Sequence, residues 1–196
     1  MAINVSEFAG NMRGGGARPN IFEVIVPKPP IGLGTNIGDI GKFKFLCKSA
    51  SLPMSEVTKI AVPYRGRSIY VAGVRQFEET WNTTVINDTD FAIRRYMEKW
   101  QNGIHSHESN IGQVDLLQYS TEVTVTQLHH LDGGGLRTYR FVNCWPSQVA
   151  AIDLAADSND TIEEFEIQWA YSYWMVAQAV QEPSSDLKGA NEITTT

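Results

Sequence analysis

With 196 residues, 42% of them hydrophobic, the chain is long enough for one domain whose core needs neither disulfide nor metal. Its formal net charge of −6 argues against a dedicated nucleic-acid binder, whose phosphate-binding surface must be basic. No apolar run reaches bilayer-spanning length, and no basic N-terminal region leads into an apolar run, so neither a membrane span nor an export signal is expected.

Residues 1–17, ending in Gly14-Gly15-Gly16, are expected to be a mobile N-terminal segment. A single β-sandwich domain is expected over 18–176, followed by a polar C-terminal tail over 177–196. Ile21–Val26 reads as a strand stopped by Pro27, Pro29 and Pro30. A loop with Gly32, Gly34, Gly38 and Gly41 follows. Lys42–Lys48 alternates charged and apolar residues, which predicts a strand returning against the first as a long-looped hairpin. Ser51-Leu52-Pro53 breaks it.

Residues 54–72 suggest two short strands carrying Val57, Ile60, Val62, Ile69, Tyr70 and Val71. Between them Pro63–Ser68 forms a turn with Arg65 and Arg67. A two-stranded ribbon alone is marginally stable in water, so its apolar residues need another surface, for which a neighbouring subunit is a candidate.

Arg75–Ile86 is rich in β-formers and has a period of two. Phe77, Trp81, Thr83 and Val85 share one parity; Gln76, Glu78, Thr80, Asn82 and Thr84 share the other. Asn87-Asp88-Thr89-Asp90 should stop this strand and cap a helix over about 89–103. Ile93, Tyr96, Met97, Trp100 and Ile104 follow helical spacing, with Arg94, Arg95, Glu98 and Lys99 elsewhere. Asn102-Gly103 should end the helix, which is expected to lie across a sheet with Ile93, Met97 and Trp100 inward.

His105–Gln118 reads as a polar loop and Tyr119–Leu128 as a strand. Asp132-Gly133-Gly134-Gly135 signals a hairpin turn, and Thr138–Trp145 the return strand, ended by Pro146. After a connection over 147–160, Thr161–Trp174 is the longest strand candidate. Phe165, Ile167, Trp169, Tyr171 and Tyr173 form one face of it; Glu164, Glu166, Gln168, Ala170 and Ser172 form the other. About eight strands and one flanking helix make the chain mainly β, a β-sandwich or partial barrel.

Catalytic readings find little purchase. His105-Ser106-His107-Glu108 offers metal ligands without a second pair at a recognisable spacing. His129-His130 precedes a turn, as exposed hairpin ends do. In Gly32–Gly38 the third glycine falls one place late for a phosphate loop and no helix opens after it. No nucleophile elbow is present. Glu163, Glu164 and Glu166 resemble the paired acids of a glycosidase, but they stand on one strand, where an acidic solvent or channel face explains them more simply. Cys47 and Cys144 are expected to be buried free thiols. No cofactor is implied.

Several segments, in order and spacing, carry a resemblance: Ala17-Arg18-Pro19-Asn20-Ile21-Phe22; Cys47-Lys48-Ser49-Ala50-Ser51-Leu52-Pro53; Val71-Ala72-Gly73 with Arg75, Phe77 and Trp81; Val85-Ile86-Asn87-Asp88; Trp145-Pro146; Phe165-Glu166; and Tyr173-Trp174. Over about 17–174 the chain resembles the tail tube proteins of T4-like contractile phages. The resemblance implies a β-sandwich with a flanking helix, six of which form a ring whose inner sheets close into one barrel. It implies stacking of rings into a tube that passes DNA and a tape-measure protein, inside a contractile sheath. The implied partners are further copies of the chain, the sheath protein, the tape-measure protein and baseplate tube-initiator proteins. The implied place is the virion tail, assembled in the host cytoplasm. The chain departs from the family pattern in longer loops at 27–41 and 103–118 and in about twenty residues beyond Trp174.

On this reading Gln76, Glu78, Thr80, Asn82, Glu164, Glu166 and Gln168 would line the lumen. Val57, Ile60, Val62, Pro63, Tyr64, Arg65, Arg67 and Ile69, within an arm over 54–72, would contact a neighbouring subunit. The alternatives are a baseplate-end initiator or cap, the inner tube of a contractile injection system, a monomeric β-sandwich carbohydrate-binding module, and an enzyme with a loop-built site.

Overall fold

The structure, a computed structural model, describes residues 5–12, 16–33, 40–130 and 133–177. Nine strands and four helices lie within them. In chain order these are α1 Val5–Asn11, β1 Phe22–Ile25, α2 Phe43–Leu46 after a 3-10 turn at Ile40–Lys42, β2 Cys47–Ala50, β3 Glu56–Tyr64 and β4 Arg67–Gln76. There follow β5 Thr80–Ile86, α3 Ala92–Ile104, α4 Leu116–Tyr119, β6 Thr121–Leu128, β7 Gly135–Val149, β8 Glu164–Ala170 and β9 Tyr173–Ala177.

Seven strands form one antiparallel sheet in the order β1-β6-β7-β8-β5-β2, with β9 also on β7, while among the described residues β3 and β4 pair only with each other. β7 belongs to two layers. Its first part pairs with β6 on one side and, over Thr138–Val142, with β9 on the other. Its last part, Trp145–Val149, pairs with β8. Between the parts Asn143 adopts φ 54, a left-handed kink of the kind that bends a strand. The sheet folds into a sandwich there, and it does not close into a barrel within one chain.

Aromatic side chains fill the space between the layers. Trp81 of β5 stacks on Phe141 of β7, ring centroids 4.5 Å apart. Trp169 of β8 meets the edges of Phe43 and Trp100 at 6.1 and 6.0 Å. Each buried indole N–H finds an acceptor, as burial requires: Trp81 donates to the Ser51 carbonyl, Trp100 to the Tyr119 carbonyl and Trp169 to the Thr83 hydroxyl. α3 closes one side of this core with Ile93, Tyr96, Met97 and Trp100, the face that helical spacing predicts.

Several expectations are corrected. Lys42–Lys48 is not a strand beside β1: it is a 3-10 turn, the short α2 and the start of β2, which pairs with β5, while β1 pairs with β6. Phe43 is buried and Phe45 is 76% exposed, so the alternation reflects one inward ring rather than a pleat. Arg75–Ile86 is two strands, interrupted at Phe77–Glu79, and Thr161–Trp174 is likewise divided at Tyr171-Ser172. Pro146 does not end its strand. It sits at a bulge before Gln148, where a missing N–H costs no ladder bond.

The helix entry also differs. Asp88 accepts from the Asp90 N–H in an Asx turn rather than capping α3, whose N-cap is Phe91 at φ 51. Gly103 does not terminate α3, which runs on to Ile104; there a Cβ would press on Ile31 at 3.2 Å. Within the expected mobile segment Val5–Asn11 is helical, and Leu116–Tyr119, spanning the end of the expected polar loop and the first residue of the expected strand, is helical too. The tail from residue 178, residues 1–4 and 13–15, Gly34, Gly38 and Asp132 lie outside the described residues.

Candidate assembly surfaces

β3 and β4 form a ribbon of their own, turned by Arg65 at φ 46 and Gly66 at φ 79. Two consecutive left-handed residues make the turn whose twist suits a hairpin. The register sets Val62 opposite Ile69 and Ile60 opposite Val71, so four aliphatic side chains share one face. All four are half exposed, between 46% and 57%. Val57, whose strand parity is shifted by a bulge before Lys59, is 49% exposed. At the bulge Gly73 lies so close to Thr58 that a Cβ would come within 2.4 Å of its hydroxyl. Tyr64 carries the Arg65 guanidinium over its ring at 5.4 Å, and Arg67 stands opposite Tyr64. Pro63 pairs with Ser68 on the other face.

The ribbon is anchored at its base. Phe77 meets Trp174 edge-on at 6.3 Å, and the Trp174 N–H donates to the Met54 carbonyl. Phe77 is 37% exposed there, so its parity does not make it a core residue of β5.

The second surface is the outer face of β5 and β8. Register places Asn82 beside Gln168, Thr84 beside Glu166 and Ile86 beside Glu164, with Thr80 beside Ala170. Their inward neighbours Trp81, Thr83, Val85, Phe165, Ile167 and Trp169 are buried. Thr80, Asn82, Glu164, Glu166 and Gln168 therefore share one face. Gln76 does not: it pairs with Glu56 in the ribbon, and Glu78 falls in the break before β5. Lys48 of β2 joins this face, its ammonium 2.6 and 2.7 Å from the two oxygens of Glu164. Strand parity within β5 and β8 carried no signal for Lys48, because the contact depends on β2 lying next to β5.

Residues 17–177 match the family model described as phage tail tube protein. The chain belongs to the phage tail tube protein family. It is 32% identical over 158 residues to tail tube protein gp19 of Enterobacteria phage T4, covering 81% of this chain and 90% of that protein. It is 27% identical over 169 residues to the tail tube protein of Serratia phage KSP90, covering 85% and 93%. Its fold is similar to that of a chain in the six-fold symmetrised baseplate of the anti-feeding prophage, with a TM-score of 0.55 at 13% identity and coverage of 83% and 95%. A chain of the sheath/tube terminator of an extracellular contractile injection system gives 0.52 at 18% identity, covering 83% and 97%.

In this tail tube protein the segments that carried the resemblance hold the frame together. Cys47–Ala50 is β2, and the Ser51 carbonyl that follows it fixes the Trp81 indole. Tyr173-Trp174 opens β9 and clamps the ribbon base. Cys47 and Cys144 are buried free thiols. Among the described residues no three His, Cys, Asp or Glu side chains gather to hold a metal, and no helix is long and apolar enough to cross a membrane.

Proposed function

We propose that this chain is the repeating structural subunit of an inner tail tube in a contractile phage, with no catalytic role. Six copies close a ring and the rings stack. The face carrying Asn82, Gln168 and Glu166 lines a bore that passes DNA and a tape-measure protein. A sheath surrounds the tube in the virion tail, and baseplate proteins initiate it during assembly in the host cytoplasm. The bounds of the tube domain are 18–176 on this reading, with 54–72 as the inter-subunit arm.

The ribbon carries the proposal. Ile60, Val62, Ile69 and Val71 form an aliphatic face left half exposed among the described residues. Burying each side chain on another copy contributes roughly 1.5–3 kcal/mol before entropic costs. The sheet adds support, since β1 and β2 each pair on one side only among the described residues. Open edges are templates for another chain, and closing them between copies yields a continuous barrel.

The chemistry of this face suits passage. A conduit for DNA must not hold it; amides, hydroxyls and carboxylates release no counterions from phosphate as a lysine lining would, and Lys48, the cation on this face, is paired with Glu164. Negative-stain microscopy of the purified full-length chain tests the proposal. Rings or tubes are expected; discrete monomers at high concentration overturn it. Ile60→Asp with Val62→Asp should leave a folded monomer that forms no tubes, and unaltered tubes from that variant refute the arm.

A further inference from the structure

β5 gives the molecule two distinct ends. It runs from Thr80, beside Ala170, to Ile86, beside Glu164, a span of about 20 Å. The ribbon joins the body at the Thr80 end, through Phe77–Glu79. At the other end lies the connection between β7 and β8, fixed where Ala150 donates to the Glu166 carbonyl and Asn87 to the Glu163 carbonyl. This connection encloses an open hollow of about 590 Å³ bordered by Asp153, Leu154, Ile162 and Glu163.

The ribbon beyond its base and the connection carry opposite charge, while Glu56, Glu78 and Glu79 stand at the base itself. Between Val57 and Phe77 stand Lys59, Arg65, Arg67 and Arg75 without one carboxylate. Between Ala151 and Glu166 stand Asp153, Asp157, Asp160, Glu163, Glu164 and Glu166 without one lysine or arginine. Some of those acids are engaged: Lys48 pairs with Glu164, and the Asn87 amide with Glu163. Asp153, Asp157 and Asp160 form no ion pair among the described residues, and neither do Arg65 and Arg67. Both ends are also apolar in part: Leu154 and Ile162 are 82% and 71% exposed, against the half-exposed aliphatic face of the ribbon.

We infer that the ribbon of one copy docks by its arginine tip and aliphatic face against the acidic 151–163 connection of a second copy, head to tail. This rests on the arm reading above and adds the surface that receives it. Among the described residues the ribbon of one copy forms no strand pairing and no ion pair with its own 151–163 connection. Joining unlike ends is a heterologous contact, which each copy makes once as donor and once as acceptor, so it repeats until a ring closes or a filament grows. Opposite charge fixes the direction and rejects tip-to-tip and loop-to-loop encounters.

Charge reversal in the full-length chain tests it, read by sedimentation velocity and negative-stain microscopy. Arg65→Glu with Arg67→Glu makes a tip variant. Asp153→Lys, Asp157→Lys and Asp160→Lys together make a loop variant. All five positions are exposed, so both variants should melt within a few degrees of the parent. Each alone is expected to lose assembly at least tenfold in critical concentration. The five changes combined in one chain, or an equimolar mixture of the two variants, should restore it. A loop variant that assembles like the parent overturns the docking surface, and so does failure of both the combined chain and the mixture. Either result leaves the arm standing, since the arm falls only if Ile60→Asp with Val62→Asp still gives tubes. A loop variant that does not fold shifts the test to the tip variant, mixed with parent chain carrying a single Asp157→Lys. Recovery of mixed assemblies supports the docking and their absence overturns it.

Discussion

The Lys48 ammonium reaches across β5 to grip both oxygens of Glu164 on β8. One acid of the outer face is thereby neutralised, while Glu166, one pleat further along and beside Thr84, has no ion pair among the described residues. The two glutamates are therefore unequal. Glu164→Lys sets two ammonium groups against each other and removes an exposed pair worth at most about 1 kcal/mol.

Glu166→Lys is the cleaner probe of the bore. Tubes should assemble normally, because the side chain is exposed and unpaired. DNA release from particles built with the altered tube should slow, most clearly at low salt, as each ring adds phosphate-binding cations. Release at the parental rate at low salt would remove Glu166 from the lumen.

Trp100→Ala empties the site where α3 meets the sheet. The indole is fully buried, touches Trp169 and Tyr96 edge-on, and donates to the Tyr119 carbonyl. A loss of about 3–5 kcal/mol is expected, a fall of roughly 10 °C in melting temperature. Thermal denaturation followed by near-UV circular dichroism checks it; an unchanged midpoint would mean that α3 does not seal the core.

The half of the fold legible in sequence is the half in which side-chain period and burial coincide. Trp81, Val85, Phe165, Ile167 and Trp169 alternate with polar residues on strands that have one wet face, and Ile93, Tyr96, Met97 and Trp100 repeat at helical spacing. Strand ends were hidden because a break preserves parity. Phe77 continues the alternation of β5 yet packs on Trp174 at the ribbon base, and Tyr171 continues that of β8 and meets the core ring Phe141 edge-on, although it lies in the break before β9. Pairing partners were hidden too. Nothing local to Lys42–Lys48 distinguishes a neighbour at β1 from one at β5; only the closed sandwich decides it. For the same reason the ribbon residues were visible as apolar, but not the register that puts four of them on one face.

Both thiols should resist labelling. Burial pushes the Cys47 thiol up to about 12 and the Cys144 thiol higher still. For Cys47 that leaves roughly a thousandfold fewer thiolates at pH 8 than an ordinary thiol has. Ellman's reagent should react within seconds in guanidinium and over hours in buffer, with native reactivity rising only as pH approaches the raised value. Prompt native reaction of either cysteine would show that its layer opens readily.

Gly73→Ala separates the ribbon from the body. The new methyl would come 2.4 Å from the Thr58 hydroxyl and 3.1 Å from the Thr58 carbonyl, so the hydroxyl must leave its bond to the Val74 carbonyl and the bulge that aligns Ile60 with Val71 is strained. The core is untouched, so the melting temperature should move by no more than about 2 °C while polymerisation is lost. Full polymerisation would show that the four-residue face need not be in register.

β7 passes without interruption from one layer of the sandwich to the other, turning at Asn143. Sliding one layer past the other would require breaking its pairing with β6 and β9 or with β8, several hydrogen bonds at once rather than one at a time. Load applied along the strands is shared in shear across three neighbours. The subunit is thus stiff as a single block, and whatever gives way under axial thrust first is the contact between blocks.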